Sequence, residues 1–197
     1  MNRAEALELV KPHLTEHRYI HTIGVMDTAV ELAVKYGANR EKTELASIFH
    51  DYAKFRPKDE MREIIAENNF PEDLLDHSSE LWHAPAGAFL VRKEIGITDE
   101  EILNAITYHT SGRPDMTLID KCVFIADYIE PGRTFPGVDE VREVVQQDID
   151  RAIALSLRNT VQFLMKKNQP VYPATFYTYN SIVIALKPEK KRRKRNE

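Results

Sequence analysis

Residues 16–55 read EHRYIHTIGVMDTAVELAVKYGANREKTELASIFHDYAKF, and this stretch decides the fold. Apolar side chains recur in it at three- and four-residue spacing from Ile23 to Val34. That period is typical of an amphipathic helix, and Gly37 is suited to end one in a left-handed conformation. The pattern therefore predicts a helix over residues 16–36.

The helical period continues outward from this first helix. Asn39 can cap a second helix that extends to about Phe55, where Arg56-Pro57 stops it. Thr98 and Glu101 form an S/T-x-x-E capping box, which predicts the start of a later helix. Residues 68–80 are rich in turn formers and predict a loop with about one helical turn. Further helices are predicted over 58–67, 82–96, 98–109, 117–129 and 138–166, the last with a break near 148–150.

Residues 175–186 (TFYTYNSIVIAL) are ambiguous, because β-branched and aromatic residues favour a strand. We predict a helix here, since the chain shows no partner strand and an isolated two-stranded sheet is marginal. The sequence contains no internal repeat and no long linker. It therefore predicts one all-α domain over residues 1–186, followed by a basic, disordered tail over 187–197.

The net charge of −4 conceals an uneven distribution. Overall the chain has 27 Lys/Arg and 31 Asp/Glu, of which residues 187–197 hold seven and two. The other 186 residues therefore carry 20 basic and 29 acidic side chains, which argues against a broad nucleic-acid footprint. The basic segment either contacts anionic surfaces or is a solvated end, and composition favours the solvated end.

The remaining composition is that of a cytoplasmic globular protein. The single cysteine, Cys122, excludes an internal disulfide framework and a thiolate-rich zinc site. No stretch approaches the roughly 18 apolar residues needed to cross a bilayer. The N-terminus, MNRAEALELV, is charged and does not resemble a secretory signal. We expect no membrane association, and a homodimer through the apolar C-terminal segment is a further hypothesis.

Histidine and aspartate residues recur at intervals typical of a metal site in a helical bundle. Intervals of roughly 18 to 32 residues are expected when successive helices each contribute one inward side chain. Imidazole and carboxylate donors without thiolate suit iron, manganese, cobalt or zinc. A single His-Asp pair arises easily by chance, and a lone helical histidine is usually structural. The candidate ligands are His21, His50, Asp51, His83, His109 and Asp127.

The residues around these candidates carry a family resemblance. The chain contains, in order, RYIHTIGV (18–25), ASIFHDYAK (46–54), WHAPAGA (82–88), ITYHTSG (106–112) and IADYIEPGR (125–133). This order, H…HD…H…H…D, resembles the HD-domain superfamily, and more closely the YqeK family of symmetrical diadenosine tetraphosphate hydrolases within it. The resemblance covers about residues 13–180. It implies an HD-domain helical bundle, an iron centre of one or two ions, and hydrolysis of dinucleoside tetraphosphates to two nucleoside diphosphates.

The resemblance also implies roles for individual residues. His21, His50, Asp51 and Asp127 would hold the principal metal. The pair His83 and His109 would either complete a second metal site or contact the substrate phosphates, and sequence does not separate these roles. The expected catalytic residues are His50, Asp51, His83 and His109.

Cationic and aromatic residues near these motifs predict substrate contacts. Arg18 lies three residues before His21, Lys54 three after Asp51, and Arg133 follows the Pro-Gly that ends the Asp127 helix. Polyphosphates need such neutralisation, and Arg binds phosphate oxygens bidentately. In the stretch PVYPATFY, Pro170 and Tyr172 would wall a nucleoside pocket, although aromatic residues there can also be core.

The family resemblance, taken with these features, implies that a metal-activated water attacks a β-phosphorus of diadenosine tetraphosphate and releases two ADP. Two alternatives remain open at this point. One is an HD phosphohydrolase that acts on nucleoside mono- or triphosphates. The other is a non-catalytic nucleotide sensor whose basic tail binds RNA.

Overall fold

The computed structural model describes residues 1–187 of the 197-residue chain, and every regular element among them is helical. Short 3-10 turns cover Lys11–His13, Glu72–Asp76 and Ser79–Leu81, and one π-helical turn, Val91–Ile95, extends the fifth helix. The α-helices are α1 (Arg3–Val10), α2 (Glu16–Tyr36), α3 (Arg40–Phe49), α4 (Lys58–Glu67), α5 (His83–Leu90), α6 (Glu100–Tyr108), α7 (Leu118–Ile129), α8 (Val138–Val144), α9 (Ile149–Lys166) and α10 (Pro173–Ala185).

The all-α class is therefore confirmed over the part of the chain that the structure describes. None of the helices in residues 1–187 is long and apolar enough to span a bilayer. The predicted domain limit at residue 186 stays a prediction. Apart from Lys187, the predicted basic tail lies outside the described residues.

Local capping explains why most predicted helix limits are confirmed. Gly37 ends α2 with a φ of 77°, a left-handed conformation that favours glycine. The Asn39 side chain accepts a hydrogen bond from Lys42 N and starts α3. Asp148 accepts one from Arg151 N, so the long C-terminal helical region breaks there as predicted. The ambiguous C-terminal segment is helical, as α10.

The predicted end of the second helix at Phe55 is wrong, because α3 ends six residues earlier at Phe49. The His50 ring nitrogen Nδ1 donates to the carbonyl of Ser47, which would otherwise accept from the backbone of Asp51. The chain then continues in tighter turns, in which the amide of Lys54 bonds the carbonyl of Asp51. The His-Asp pair therefore lies just beyond the helix rather than inside its last turn.

The predicted capping box of Thr98 and Glu101 is also wrong. Asp99 caps α6 instead, and its carboxylate accepts from the backbone amides of Glu101 and Ile102. A carboxylate at this position is favoured by the positive end of the helix dipole. The Glu101 side chain is engaged by Lys42, 2.5 Å away, and so does not reach back to form the box.

Helices α2, α3, α6 and α7 pack against one another at the centre of the molecule. One apolar core, including Phe49, Ile65 and Ile106, lies among α1 and α3 to α6 and extends to α2 and α7. A second, including Val25 and Ile153, joins α2 and α7 to α8, α9 and α10. The central helices are thus fixed from both sides, which allows side chains near their ends to converge with little freedom.

Candidate metal centre

The fold brings all six predicted metal ligands together. His21 lies on α2, His50 and Asp51 follow α3, His83 begins α5, His109 ends α6, and Asp127 lies in the last turn of α7. Five of the side chains are buried, and that of Asp127 is 22% exposed, so the cluster is open to a ligand at the Asp127 side.

The four imidazole rings form a row in the order His21, His50, His109 and His83. Neighbouring ring centroids are 5.4, 5.0 and 5.0 Å apart along it. We call this arrangement the histidine row. Asp127 Oδ1 lies 3.0 Å from His21 Nε2, at one end. The Asp51 carboxylate lies beside all four rings, with Oδ1 3.0 Å from His83 Nε2 and 3.9 Å from His109 Nε2, and Oδ2 3.3 Å from His50 Nε2 and 3.8 Å from His21 Nε2.

Three of the rings are oriented by a partner at Nδ1. The Nδ1 of His50 donates to the Ser47 carbonyl at 2.7 Å, and that of His109 to the Ile106 carbonyl at 2.8 Å. The Nδ1 of His21 lies 3.0 Å from a carboxylate oxygen of Glu130. A proton held at Nδ1 leaves the lone pair of Nε2 for a metal.

The Nε2 atoms of these rings fit a cation. The buried Nε2 atoms of His21 and His50 have no hydrogen-bond partner among the described residues, although carboxylate oxygens lie close to both. Two sets of donor atoms, each within 4.8 Å of one another, share His50: one adds His21 and Asp127, the other Asp51 and His109. The lone pairs of these buried Nε2 atoms and carboxylate oxygens repel one another. A positive ion bound between them would remove this repulsion.

The pKa shifts in the cluster also favour a bound positive charge. Burial penalises the carboxylate of Asp51, but His50 and His83 outweigh it and hold its pKa well below the ordinary value. Burial disfavours a charged His50 ring, yet the neighbouring Asp51 carboxylate reverses this and raises its pKa. Burial, reinforced by repulsion from His50 and His83, lowers the pKa of His109 to about 3. Without a metal, a proton on His50 neutralises part of the buried negative charge.

His83 differs from the other rings of the row. Its Nε2 approaches Asp51 and His109, but its buried Nδ1 has no partner within residues 1–187. Neither of the two donor sets includes it. Because histidine ligands of metals usually have their second nitrogen fixed, His83 is less constrained than the others.

Sequence reasoning missed Glu130. Its side chain is 6% exposed, and besides His21 it accepts a hydrogen bond from the amide of Gly132 at 2.6 Å. A β-carbon at Gly24 would lie 2.8 Å from Glu130 Oε2, so the absence of a side chain there makes room for the carboxylate. The signal was present, since an acidic residue at a helix C-terminus is disfavoured by the dipole unless a partner compensates.

Two of the three predicted cations reach the cluster. Arg18 Nη1 lies 3.0 Å from Asp51 Oδ2, and Arg133 Nη2 lies 2.7 Å from Asp127 Oδ1. Lys54 instead bonds Glu80 at 2.9 Å, and its phosphate contact stays a prediction. Both arginines therefore pair with carboxylates of the cluster.

A hollow beside the His83 and His109 end of the row, here called the first hollow, has a volume of about 240 Å³. Tyr172 lines it and is 8% exposed, with Pro85 and Arg113 among its other walls. Burial raises the pKa of Tyr172 to about 12, so its hydroxyl stays protonated at neutral pH. Pro170 is exposed and is not among the lining residues, so its predicted nucleoside contact stays untested.

The chain is similar in sequence and in fold to known proteins. Residues 18–132 match the family model of the HD domain. The chain is 63% identical over 183 residues to a symmetrical bis(5′-nucleosyl)-tetraphosphatase of Bacillus subtilis, covering 93% of this chain and 98% of that protein. It is 59% identical over 187 residues to a protein of the same name from Halalkalibacterium halodurans, covering 95% and 100%.

The fold is also similar to that of a solved structure. The crystal structure of a predicted HD superfamily hydrolase involved in NAD metabolism from Clostridium acetobutylicum superimposes with a TM-score of 0.88 at 40% identity. The match covers 94% of this chain and 98% of that one.

The helical fold and its His/Asp cluster are those of an HD-domain protein, and the chain belongs to the HD-domain superfamily. Within it, the chain belongs to the YqeK family, the family of its Bacillus subtilis and Halalkalibacterium relatives. The resemblance seen in the sequence motifs is thereby confirmed.

Proposed function

We propose that this protein is a metal-dependent phosphohydrolase that cleaves diadenosine tetraphosphate, and related dinucleoside polyphosphates, symmetrically into two ADP. One observation carries the proposal: the histidine row and its two aspartates lie beside Arg18 and Arg133, in a chain 63% identical to a symmetrical bis(5′-nucleosyl)-tetraphosphatase. Buried nitrogen and oxygen donors beside guanidinium groups suit a metal that acts on a phosphate chain.

The metal is proposed to be iron, as one or two ions, and the donor set also suits manganese, cobalt or zinc. The principal ion would be held by His21, His50, Asp51 and Asp127. His109, whose donor atom groups with those of His50 and Asp51, would be a further ligand. When bound, the metal supplies a polarised water and charge neutralisation at a phosphate. His83, which lies outside both donor sets, is proposed to face the substrate.

The chain's own residues would then position the phosphates. Arg18 and Arg133 exchange their contacts to Asp51 and Asp127 for phosphate oxygens, and they stabilise the charge that develops there. The oxygen of water bonds to a β-phosphorus and gives up a proton to solvent, the central bridging P–O bond breaks, and the leaving ADP oxygen takes a proton. His83, close to Asp51 but not fixed at Nδ1, is suited to donate that proton.

Location and assembly are part of the same proposal. A cytoplasmic location suits the lone buried thiol of Cys122. A homodimer would cover exposed apolar side chains near the C-terminus, among them Phe163, Met165 and Phe176. Light scattering of the purified chain would test the dimer.

The deciding experiment is chromatography of the products formed from diadenosine tetraphosphate by iron- or manganese-loaded protein. Asp51→Ala is the test variant, and Asp139→Ala, an 86% exposed carboxylate, is the matched control. ADP as sole product, lost only in Asp51→Ala, is expected. AMP with ATP would reject symmetrical cleavage. Phosphate release from mono- or triphosphates alone would indicate the alternative phosphohydrolase, and tight nucleotide binding without turnover would indicate a sensor.

A further inference from the structure

A second hollow lies beside the His21 end of the histidine row. Its volume is about 350 Å³, within the range of small-molecule sites. Its lining residues include Arg18, Ile20, His21, Ile23, Glu130 and Arg133. None of them also lines the first hollow.

The two hollows adjoin opposite ends of the row. The first includes Pro85, close in sequence to His83, and Tyr108 and Thr110, which flank His109. The second includes His21 itself. Since the ring order is His21, His50, His109 and His83, each hollow adjoins a different end of the candidate metal centre.

The second hollow combines apolar and cationic surfaces. Ile20 is 63% exposed although it directly precedes His21 in the sequence, and Ile23 is partly exposed on the same helix. Arg18 and Arg133 contact the cluster carboxylates and mark the side of the hollow nearest the metal centre. An apolar wall next to paired guanidinium groups is complementary to a flat nucleoside that carries a phosphate.

We infer that the second hollow binds the second nucleoside of a dinucleoside polyphosphate, while the first hollow binds the other. This rests on the proposed function. Cleavage at the central anhydride requires the midpoint of the phosphate chain to lie at the metal, so the two equal halves must extend to either side. The first hollow has Tyr108 and Tyr172 in its wall, on which a base can stack, whereas no Phe, Tyr or Trp of residues 1–187 lines the second. A substrate with one nucleoside would therefore use the first hollow and leave the second unoccupied.

The test compares diadenosine tetraphosphate with adenosine 5′-tetraphosphate, which lacks the second nucleoside. Ile20→Ser removes the exposed apolar side chain without adding charge. Val34→Ser is the matched control, because Val34 is also β-branched, lies on α2 and is 70% exposed. Both changes are at exposed positions, and thermal unfolding would verify that each variant folds.

For Ile20→Ser we expect kcat/KM for the dinucleotide to fall by about 5- to 20-fold, the scale of a lost apolar contact. The ratio of kcat/KM between the two substrates should fall by the same factor, and Val34→Ser should retain the wild-type ratio. Equal loss on both substrates, or no loss on either, would overturn the inference while wild-type ADP formation upholds the proposed function. Failure of the wild-type protein to form ADP would overturn both.

Discussion

The Nδ1 atom of His21 lies 3.0 Å from Oε1 of the buried Glu130. This contact ties the first candidate ligand in the chain to the turn that follows α7, 109 residues later. A carboxylate that accepts the Nδ1 proton fixes the ring and increases the basicity of Nε2. Glu130 is thereby placed to control how His21 holds a metal.

Replacement of Glu130 should weaken metal binding. We expect Glu130→Ala to raise the metal dissociation constant by about 10- to 100-fold, the usual effect of losing such a partner. Glu130→Gln should cause a smaller loss, since an amide oxygen can still accept from His21 but its NH2 group cannot accept from Gly132. Competition with a chromogenic chelator measures this without reference to turnover.

Glu94→Gln is the control for this comparison, because Glu94 also accepts side-chain hydrogen bonds, from Tyr52 and Arg56. It lies outside the candidate metal centre, so metal affinity should not change. Equal affinity in Glu130→Ala and wild type would show that Glu130 serves only the fold.

A side chain at Gly24 should disturb the Glu130 carboxylate. A β-carbon there would come within 2.8 Å of Glu130 Oε2 and displace the carboxylate from His21. We expect Gly24→Ala to lower metal affinity in the same direction as Glu130→Ala. Gly87→Ala is the matched helical control, because its β-carbon would meet Ala53 at an ordinary 3.6 Å. That variant should be neutral or more stable by up to about 1 kcal/mol in thermal unfolding, the helix preference of alanine. Wild-type metal affinity in Gly24→Ala would contradict the packing argument.

Much of this architecture was predictable because its signals are local. Gly37, Asn39 and Thr117 act through atoms three or four residues away, so sequence spacing alone indicates the ends of their helices. The end of α3 was not predictable in this way. It depends on the His50 side chain taking the Ser47 carbonyl, a choice that follows from the demands of the site.

The residues of the candidate site also differ in whether local sequence signals identify them. The motif order identified the six cluster residues as candidates, since each stands in its own short, recognisable sequence context. Glu130 was missed because its partner His21 is 109 residues away, and Lys54 was grouped with the cluster although its nearest partner is Glu80. Side-chain direction at a turn is set by tertiary contacts, and spacing does not encode it.

Removal of the metal should expose Cys122 to thiol reagents. The side chain is fully buried in the second core, and burial raises its pKa to about 12, so the reactive thiolate is scarce in the native state. Labelling at pH 8 should therefore require unfolding. A metal present at 100 times its dissociation constant adds about 2.7 kcal/mol of stability, so a chelator should accelerate labelling about 100-fold. A labelling rate that is the same with and without chelator would contradict metal-linked stability.

Asp120 should stabilise both α7 and the wall of the first hollow. Its buried carboxylate accepts from Arg113 at 2.7 and 2.9 Å and from the amide of Thr117, while its own amide bonds the Thr117 hydroxyl. Asp120→Ala removes three acceptor contacts, and we expect a loss of about 2 to 3 kcal/mol in urea unfolding, more than the ~1 kcal/mol of a lost cap alone. Thr117→Ala isolates the cap, and Arg113→Ala isolates the ion pair.

Because Arg113 lines the first hollow, Arg113→Ala and Asp120→Ala should also raise KM for the dinucleotide, whereas Thr117→Ala should not. A change in KM with Thr117→Ala equal to that with Asp120→Ala would attribute the effect to α7 as a whole and not to the anchored guanidinium.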